Sequence, residues 1–138
     1  SATRCAGSSA SISPDMTGEF LASVADVECC ELVTTGHRTG REHRIEIWFG
    51  VIGNRVCLIS GNGETAHWYR NLVRDVDVRL VFGNATLHGR ARVVVDADER
   101  RCIGDLMRAK YQWDGDPEIG LTYDAWCYSV PAVWVEFD

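Results

Sequence analysis

The chain has 138 residues, of which 46% are hydrophobic and 25% charged, and its formal net charge is -6. This length suits one domain, and this balance excludes wholesale disorder. The negative charge argues against a nucleic-acid partner, and the absence of any run of about 18 apolar residues argues against a membrane span.

The N-terminal segment, residues 1–18, is predicted to be a flexible arm, and residues 19–138 are predicted to form one domain. The first fifteen residues are rich in Ser and Ala and lack the apolar stretch of a secretion signal, so a cytoplasmic location is expected. The cysteines are Cys5, Cys29, Cys30, Cys57, Cys102 and Cys127. No two are separated by two residues, so we predict no metal site and expect buried, reduced thiols.

The hydrophobic pattern then predicts three strands, a helix, two strands, a second helix and a closing strand. The strands are expected at residues 27–35, 43–51, 55–60, 76–82, 85–95 and 130–137. In the second strand, Ile45, Ile47 and Phe49 alternate with polar residues and are expected to face the core. The first helix, residues 64–74, is predicted to be capped by Asn62, and the second begins after Asp96.

Short hairpins without a repeated strand–helix–strand unit favour an antiparallel sheet with helices packed outside it. We therefore predict a mainly β or α+β domain, a split β-barrel of antiparallel strands with two to three flanking helices. No G-x-G-x-x-G motif is present, which argues against a dinucleotide-binding sheet of parallel strands.

The turn at residues 34–44 reads TTGHRTGREHR and concentrates positive charge on an acidic chain. Gly36 and Gly40 are expected to let the backbone turn tightly and expose its N–H groups. His37, Arg38 and Thr39 between them add further donors. Such a set suits a small anionic ligand, although a solvated hairpin loop is the alternative.

A second glycine-containing turn, Ser60 to Gly63, joins a predicted strand to a predicted helix, where an anion or a polar ring edge can bind. A third group consists of the aromatic residues Trp48, Tyr123, Trp126 and Tyr128. Flat heteroaromatic rings bind to such surfaces, but ordinary packing explains aromatic residues equally well. No nucleophile–base arrangement stands out, which favours chemistry supplied by a bound cofactor.

These segments carry a resemblance to a known family. LVTTGHRTGREHRIEIWF at residues 32–49 and SGNGETAHWYRNLVRDVDVRLVFGNATLHGRARVV at residues 60–94 resemble the deazaflavin-dependent nitroreductase (F420H2-dependent quinone reductase) family. The resemblance covers about residues 28–138. It implies a split β-barrel, the cofactor F420 with its phosphate-linked, acidic tail, and hydride transfer to a quinone, nitro compound or activated enone.

The resemblance also implies roles for individual residues. The cofactor tail would be held by His37, Arg38 and Thr39, the deazaflavin ring would be backed by Glu46, Ile47 and Trp48, and the ring edge would be touched by Ser60, Gly61, Asn62 and Gly63. The acceptor would meet Trp48, Tyr123, Trp126 and Tyr128, with Tyr123 or Tyr128 as the catalytic proton donor.

The sequence departs from the family pattern at three of these positions. Glu46 stands where the nitroreductase branch often has Pro, Asn62 where it often has Lys, and His37 where Arg is common. FMN on the same barrel, or a non-catalytic cofactor- or lipid-binding protein, are the alternatives. The expected partner is a small-molecule acceptor, and a homodimer is compatible with the fold.

Overall fold

The computed structural model describes residues 10–11 and 16–137. Its eight strands are β1 (Ala10–Ser11), β2 (Cys29–Thr35), β3 (Glu42–Trp48), β4 (Gly50–Ile52), β5 (Arg55–Ile59), β6 (Asp77–Phe82), β7 (Ala85–Val93) and β8 (Ala132–Glu136). The sheet runs in the order β3-β2-β6-β7-β8-β5-β4, and all of these pairs are antiparallel. The two-residue β1 lies parallel to β7.

Alternate residues of the strands pack into two separate cores. The inner core, enclosed by the curled sheet, contains Leu32, Leu58, Leu80 and Val133. The outer core lies between β5, β8 and the helices, and it contains Cys57, Ile103, Met107, Trp126 and Trp134. Because side chains of a strand alternate between its faces, neighbours such as Cys57 and Leu58 belong to different cores. This open, curled antiparallel sheet confirms the predicted split-barrel α+β class.

Three helices of eight residues or more flank the sheet, α1 (Thr17–Val24), α2 (His67–Arg74) and α3 (Ala97–Lys110), and a shorter helix α4 (Tyr123–Tyr128) packs on α3. Asp96 caps α3 as predicted, because its carboxylate accepts the Glu99 N–H at 2.9 Å. The Glu99 carboxylate accepts instead from Trp134 Nε1 at 3.0 Å. None of these helices is long and apolar enough to span a membrane.

Neither α1 nor α4 was among the predicted helices. α1 begins inside the segment assigned to the N-terminal arm, and its Leu21 is fully buried in the inner core. The rest of that arm, residues 1–9 and 12–15, lies outside the described residues. Both helices are short, and helices of this length are stable through tertiary packing rather than through sequence propensity.

The prediction of one continuous strand over residues 43–51 is wrong, because the strand is interrupted at Phe49, between β3 and β4. The Tyr111 hydroxyl accepts the Phe49 N–H at 3.2 Å and lies 2.5 Å from the Glu28 carbonyl oxygen. Lys110 Nζ donates to the Phe49 carbonyl oxygen at 2.8 Å. The side chains of Lys110, at the end of α3, and of Tyr111, just after it, therefore replace strand-to-strand hydrogen bonds at this interruption. A local sequence pattern does not show such partners.

Two further expectations are corrected. Ile45 was expected in the core but is 36% exposed, because β3 is an edge strand and, among the described strands, only β2 pairs with it. Among the thiols, Cys102 is exposed on α3, whereas Cys30, Cys57 and Cys127 are buried and Cys29 is half-buried. Burial raises the pKa of the Cys30 and Cys57 thiols to about 12, which keeps them protonated. Cys5 lies outside the described residues.

Candidate functional site

The basic turn forms the loop between β2 and β3. The Gly36 N–H donates to the Arg41 carbonyl at 2.6 Å, and the Gly40 N–H donates to the Gly36 carbonyl at 3.0 Å. The N–H groups of both glycines are therefore used within the loop and are not available to a ligand. An added Cβ at Gly36 would lie 2.6 Å from His43 Nε2, so a larger residue would displace the exposed His43 ring.

Asn71 of α2 holds this loop against the barrel. Its Oδ1 accepts the His37 N–H at 2.9 Å and lies 2.6 Å from His37 Nδ1. Its Nδ2 donates to Thr34 Oγ1 at 3.0 Å, at the end of β2. Asn71 is only 2% exposed, so these bonds form largely out of water, where a missing partner is costly. The position of the loop thus depends on one buried amide of α2.

The cations of the described residues are distributed unevenly. Seven arginines form ion pairs with carboxylates: Arg44, Arg55, Arg79, Arg90, Arg92, Arg101 and Arg108. Arg100 and Lys110 are half-buried and donate to backbone carbonyls. The remaining cations in this part of the chain are exposed arginines without a carboxylate partner: Arg38, Arg41, Arg70 and Arg74. All four lie on the β2–β3 loop or on α2.

We call the surface formed by these four arginines the basic surface. Helical spacing places His67, Arg70 and Arg74 on the solvent side of α2, beside the face from which Asn71 reaches the loop. The rings of His37 and His67 stack with centroids 6.2 Å apart, which brings the loop and the start of α2 together. Unpaired positive charge on a chain of net charge -6 is suited to an anionic ligand.

The turn from Ser60 to Gly63 lies just before α2 in the chain. Ser60 is fully buried, its Oγ donates to the Gly63 carbonyl at 2.7 Å, and the Gly63 N–H returns to the Ser60 carbonyl at 3.0 Å. Gly61 packs close to the ring of Trp126, while Asn62 is exposed. The predicted capping role of Asn62 is wrong, because α2 starts after Ala66 and the Asn62 side chain makes no cap hydrogen bond.

An open cleft of about 800 Å³ adjoins this turn. Its walls come from the turn, from α2, from the end of β7 with the start of α3, and from the segment before β8. The lining includes Gly63, Tyr69, Val94, Arg100 and Val130. The basic surface and the cleft are therefore both built partly on α2, and the cleft has the size of a ligand site.

The strand segment Glu46 to Trp48 does not present one common face. Glu46 is exposed on β3, opposite Glu31 of β2, whereas Ile47 packs against the inner core. Trp48 belongs to the outer core and stacks on Tyr111, with ring centroids 4.3 Å apart. Because Ile47 points to the other side of β3, the three side chains cannot all contact the same ring.

The predicted aromatic group lies mainly in the outer core. Trp126 is only 5% exposed and meets the rings of Trp48, Tyr111 and Trp113 edge to face at 5.6–6.1 Å. Trp126 packs against Gly61 and so supports the turn from Ser60 to Gly63. Its assignment to the acceptor site stays a prediction, but the contacts that the structure shows are packing contacts.

Both tyrosines predicted as proton donors already use their hydroxyls. The Tyr123 oxygen lies 2.6 Å from the Tyr111 carbonyl oxygen and 3.0 Å from that of Arg108, at the end of α3. The Tyr128 hydroxyl donates to Asp105 Oδ1 at 2.7 Å, which raises its pKa. These contacts join α4 to α3. The catalytic roles of Tyr123 and Tyr128 remain untested predictions.

The sequence interpretation missed two features of the site. Arg70 and Arg74 were not included, although their spacing of four residues on a predicted helix places them on one face. Arg100 was not identified because its partners, the carbonyls of Trp126, Cys127 and Val130, are distant in sequence.

The sheet order, the two cores and the flanking helices define a split β-barrel protein with a basic surface beside a cleft. The model of the F420H(2)-dependent quinone reductase family matches residues 12–116, and the chain belongs to this family. The family is one of enzymes, so this protein is an oxidoreductase of the F420-dependent type. No match was found among curated protein sequences.

Several solved structures have the same fold. An F420-H2 dependent reductase is 20% identical over 80% of this chain and 95% of its own, with a TM-score of 0.61. A conserved hypothetical protein from Mycobacterium tuberculosis is 17% identical over 94% of this chain and 84% of its own, with a TM-score of 0.64. A domain-swapped dimer is 18% identical over 89% and 96%, with a TM-score of 0.61. At these identities the likeness shows the fold alone.

Proposed function

We propose that this protein binds F420 and transfers hydride from its reduced form to a small organic acceptor, such as a quinone, nitro compound or activated enone. The observation that carries the proposal is the basic surface, on which every exposed arginine without a carboxylate partner in the described part of the chain is gathered. Family membership supplies the reaction class, and the basic surface supplies a place for the anionic cofactor.

The donor set fits F420 better than FMN. The F420 tail carries a phosphodiester followed by several glutamate carboxylates, whereas FMN carries one phosphate. Two arginines on the loop and two on α2 provide four positive charges, which suit an extended anion such as the F420 tail. The single phosphate of FMN would use only some of these charges. Each charge-assisted hydrogen bond contributes roughly 1.5–3 kcal/mol.

The residues of the site have distinct tasks in this proposal. Arg38, Arg41, Arg70 and Arg74 would hold the tail. The turn from Ser60 to Gly63 would meet the ring edge next to the cleft, because the internal bonds of Ser60 and Gly63 keep that turn in one shape. When bound, the reduced deazaflavin supplies hydride from its C5. The protein positions both reactants and limits the access of water to them.

Replacing Arg38 with alanine should weaken F420 binding by about ten- to a hundredfold, at one decade per 1.4 kcal/mol. Arg38 is exposed and makes no side-chain hydrogen bond or ion pair among the described residues, so its loss should hardly change the thermal stability of the cofactor-free protein. Added salt should weaken binding by the wild type more than by the variant, because screening acts on the charge that the variant lacks.

Fluorescence titration with F420 measures this effect, and Arg101→Ala is the matched control. Arg101 is an exposed arginine of α3 that pairs with Asp98, away from the loop and α2. It changes the net charge by the same amount and should leave the affinity nearly unchanged. Equal F420 affinities of wild type and Arg38→Ala would contradict the proposal that Arg38 holds the cofactor tail. Tighter binding of FMN than of F420 would favour FMN as the cofactor.

We also propose that the protein forms a homodimer. In the described residues the sheet ends at β3 and β4, whose outer edges pair with no further strand, and exposed strand edges are available for pairing between chains. A solved protein of the same fold is a domain-swapped dimer. Light scattering at micromolar concentration should give twice the monomer mass of 15.4 kDa, and a monomeric mass would remove this proposal.

A further inference from the structure

Two histidines lie side by side on the elements that carry the basic surface. His37 belongs to the loop between β2 and β3, and His67 is the first residue of α2. Their rings are nearly parallel, with 25° between the planes and 6.2 Å between the centroids. His37 is half-buried and His67 is exposed, so the pair is open to solvent on one side. Both imidazoles therefore stand where the loop and the helix with the unpaired arginines meet.

The contact with Asn71 fixes where His37 carries its hydrogens. Asn71 Oδ1 accepts the His37 backbone N–H, so this atom is the amide oxygen and can only accept. His37 Nδ1 lies 2.6 Å from the same oxygen and must therefore carry a hydrogen. A proton that His37 takes up goes to Nε2, which has no hydrogen-bond partner among the described residues and is not buried. This nitrogen is an acceptor in the neutral ring and a donor in the charged ring.

The carboxylates on the surrounding elements do not neutralise this pair. Besides the four arginines of the basic surface, the ionisable groups here are Glu42 and His43 of β3 and the residues that flank α2, Glu64 and Asp75. Glu42 pairs with Arg79. Within residues 10–11 and 16–137, neither Glu64 nor Asp75 lies at ion-pair distance from a histidine. Positive charge on His37 or His67 is therefore balanced only by an anion from outside the described chain.

The separation of the two rings suits one oxyanion. A hydrogen bond from a charged imidazole to an anionic oxygen is about 2.7–2.9 Å long. With 6.2 Å between the centroids, the oxygens of one phosphate or carboxylate group can accept from His37 Nε2 and from a ring nitrogen of His67. Such an anion places negative charge beside both rings and favours their charged form. Oxyanion binding and proton uptake are therefore linked, and each strengthens the other.

We propose that His37 and His67 form a proton-dependent clamp for an oxyanion of the ligand, so that anion binding strengthens as the pH falls. This inference rests on the proposed function for the identity of the ligand, the tail of F420. The clamped group is the phosphodiester of that tail or one of its glutamate carboxylates. The arginines attract the tail at every working pH, whereas histidine gains its charge between pH 8 and pH 5.

The test is a fluorescence titration with F420 at pH 5.5 and pH 8.0 on wild type, His67→Phe, His67→Arg and His88→Phe. Phenylalanine keeps a ring beside His37 but takes up no proton. His67→Phe should bind within about threefold of wild type at pH 8.0 and roughly tenfold more weakly at pH 5.5, the contribution of one charge-assisted hydrogen bond. Comparing proteins at the same pH cancels any titration of F420 itself.

The other two variants separate charge from general effects of substitution. His67→Arg is charged at both pH values and should bind F420 more tightly than wild type at pH 8.0. His88 is an exposed histidine of β7, outside the loop and α2, and His88→Phe should match wild type at both pH values. Calorimetry at pH 6.5, in two buffers of different ionisation enthalpy, counts the protons taken up. Wild type should take up more protons on binding F420 than His67→Phe does.

The outcomes separate the clamp from the proposed function. F420 binding with the same pH dependence in wild type and His67→Phe overturns the clamp and leaves the cofactor assignment intact. A His67 dependence that persists with F420 lacking its glutamates assigns the phosphodiester, and one that is lost assigns a carboxylate; both support the clamp.

A protein that fails to bind F420 rejects the proposed function, and sulfate then tests the clamp by itself. The charge of sulfate does not change between pH 5.5 and pH 8.0, and its binding is followed through the histidine ring signals in NMR spectra. Sulfate binding that is tighter at pH 5.5 and weakened by His67→Phe supports the clamp. Sulfate binding that does not depend on His67, or no sulfate binding, overturns it.

Discussion

Replacing Arg100 with alanine should lower the free energy of unfolding by about 3 kcal/mol or more, one of the larger effects expected of a single substitution. The guanidinium of Arg100 donates to the carbonyls of Cys127, Trp126 and Val130 at 2.5–3.2 Å. These carbonyls lie at the end of α4 and in the segment that leads to β8, where a helix leaves carbonyls without partners of its own. Alanine would leave them half-buried and unpaired.

Urea denaturation gives this difference in unfolding free energy, and the neighbouring arginine provides the control. Arg101 is exposed and forms a surface ion pair with Asp98, so Arg101→Ala should change stability by no more than about 0.5 kcal/mol. Arg100→Lys keeps the charge but cannot direct a planar fork at several carbonyls, and it should recover only part of the loss. Equal stability of Arg100→Ala and Arg101→Ala would contradict the bridging role.

Replacing Asn71 with leucine should affect both stability and cofactor affinity. The substitution keeps the size of the side chain but removes all three contacts of the amide with His37 and Thr34. Leaving the buried partners unsatisfied should cost roughly 2–4 kcal/mol of unfolding free energy. The loop would no longer be held against α2, so Arg38 and Arg41 would lose their fixed position, and F420 affinity should fall by about tenfold.

Thr34→Val is the control that separates the two effects of Asn71→Leu. It removes the partner of Asn71 Nδ2 and leaves both contacts of Oδ1 with His37 in place. We expect reduced stability with nearly normal F420 affinity. F420 titrations at temperatures well below the midpoint of thermal unfolding ensure that only folded protein is compared. If Asn71→Leu destabilises the protein without changing F420 affinity, then the loop does not need this anchor to hold the cofactor.

The sequence determined the fold class and the family, and it predicted the regions of the candidate site. Alternation in strands such as residues 76–82 and short hairpins are local features, and they require an antiparallel sheet whatever surrounds them. The Asp96 cap on α3 was also predictable, because its partner lies three residues away. The basic turn was recognisable for the same reason, since its charges are adjacent in the chain.

The tertiary structure alone decided which of these residues are available for function. Arg38 and Arg44 are close in sequence, but Arg44 of β3 pairs with Glu31 of β2, while Arg38 has no carboxylate partner within residues 10–11 and 16–137. Among the tyrosines, the two that the sequence favoured, Tyr123 and Tyr128, have their hydroxyls engaged with α3 or with the residue that follows it. Whether a polar group is used or free depends on partners far away in the chain. Local patterns specify strands, turns and caps, whereas packing between elements determines how their polar side chains are used.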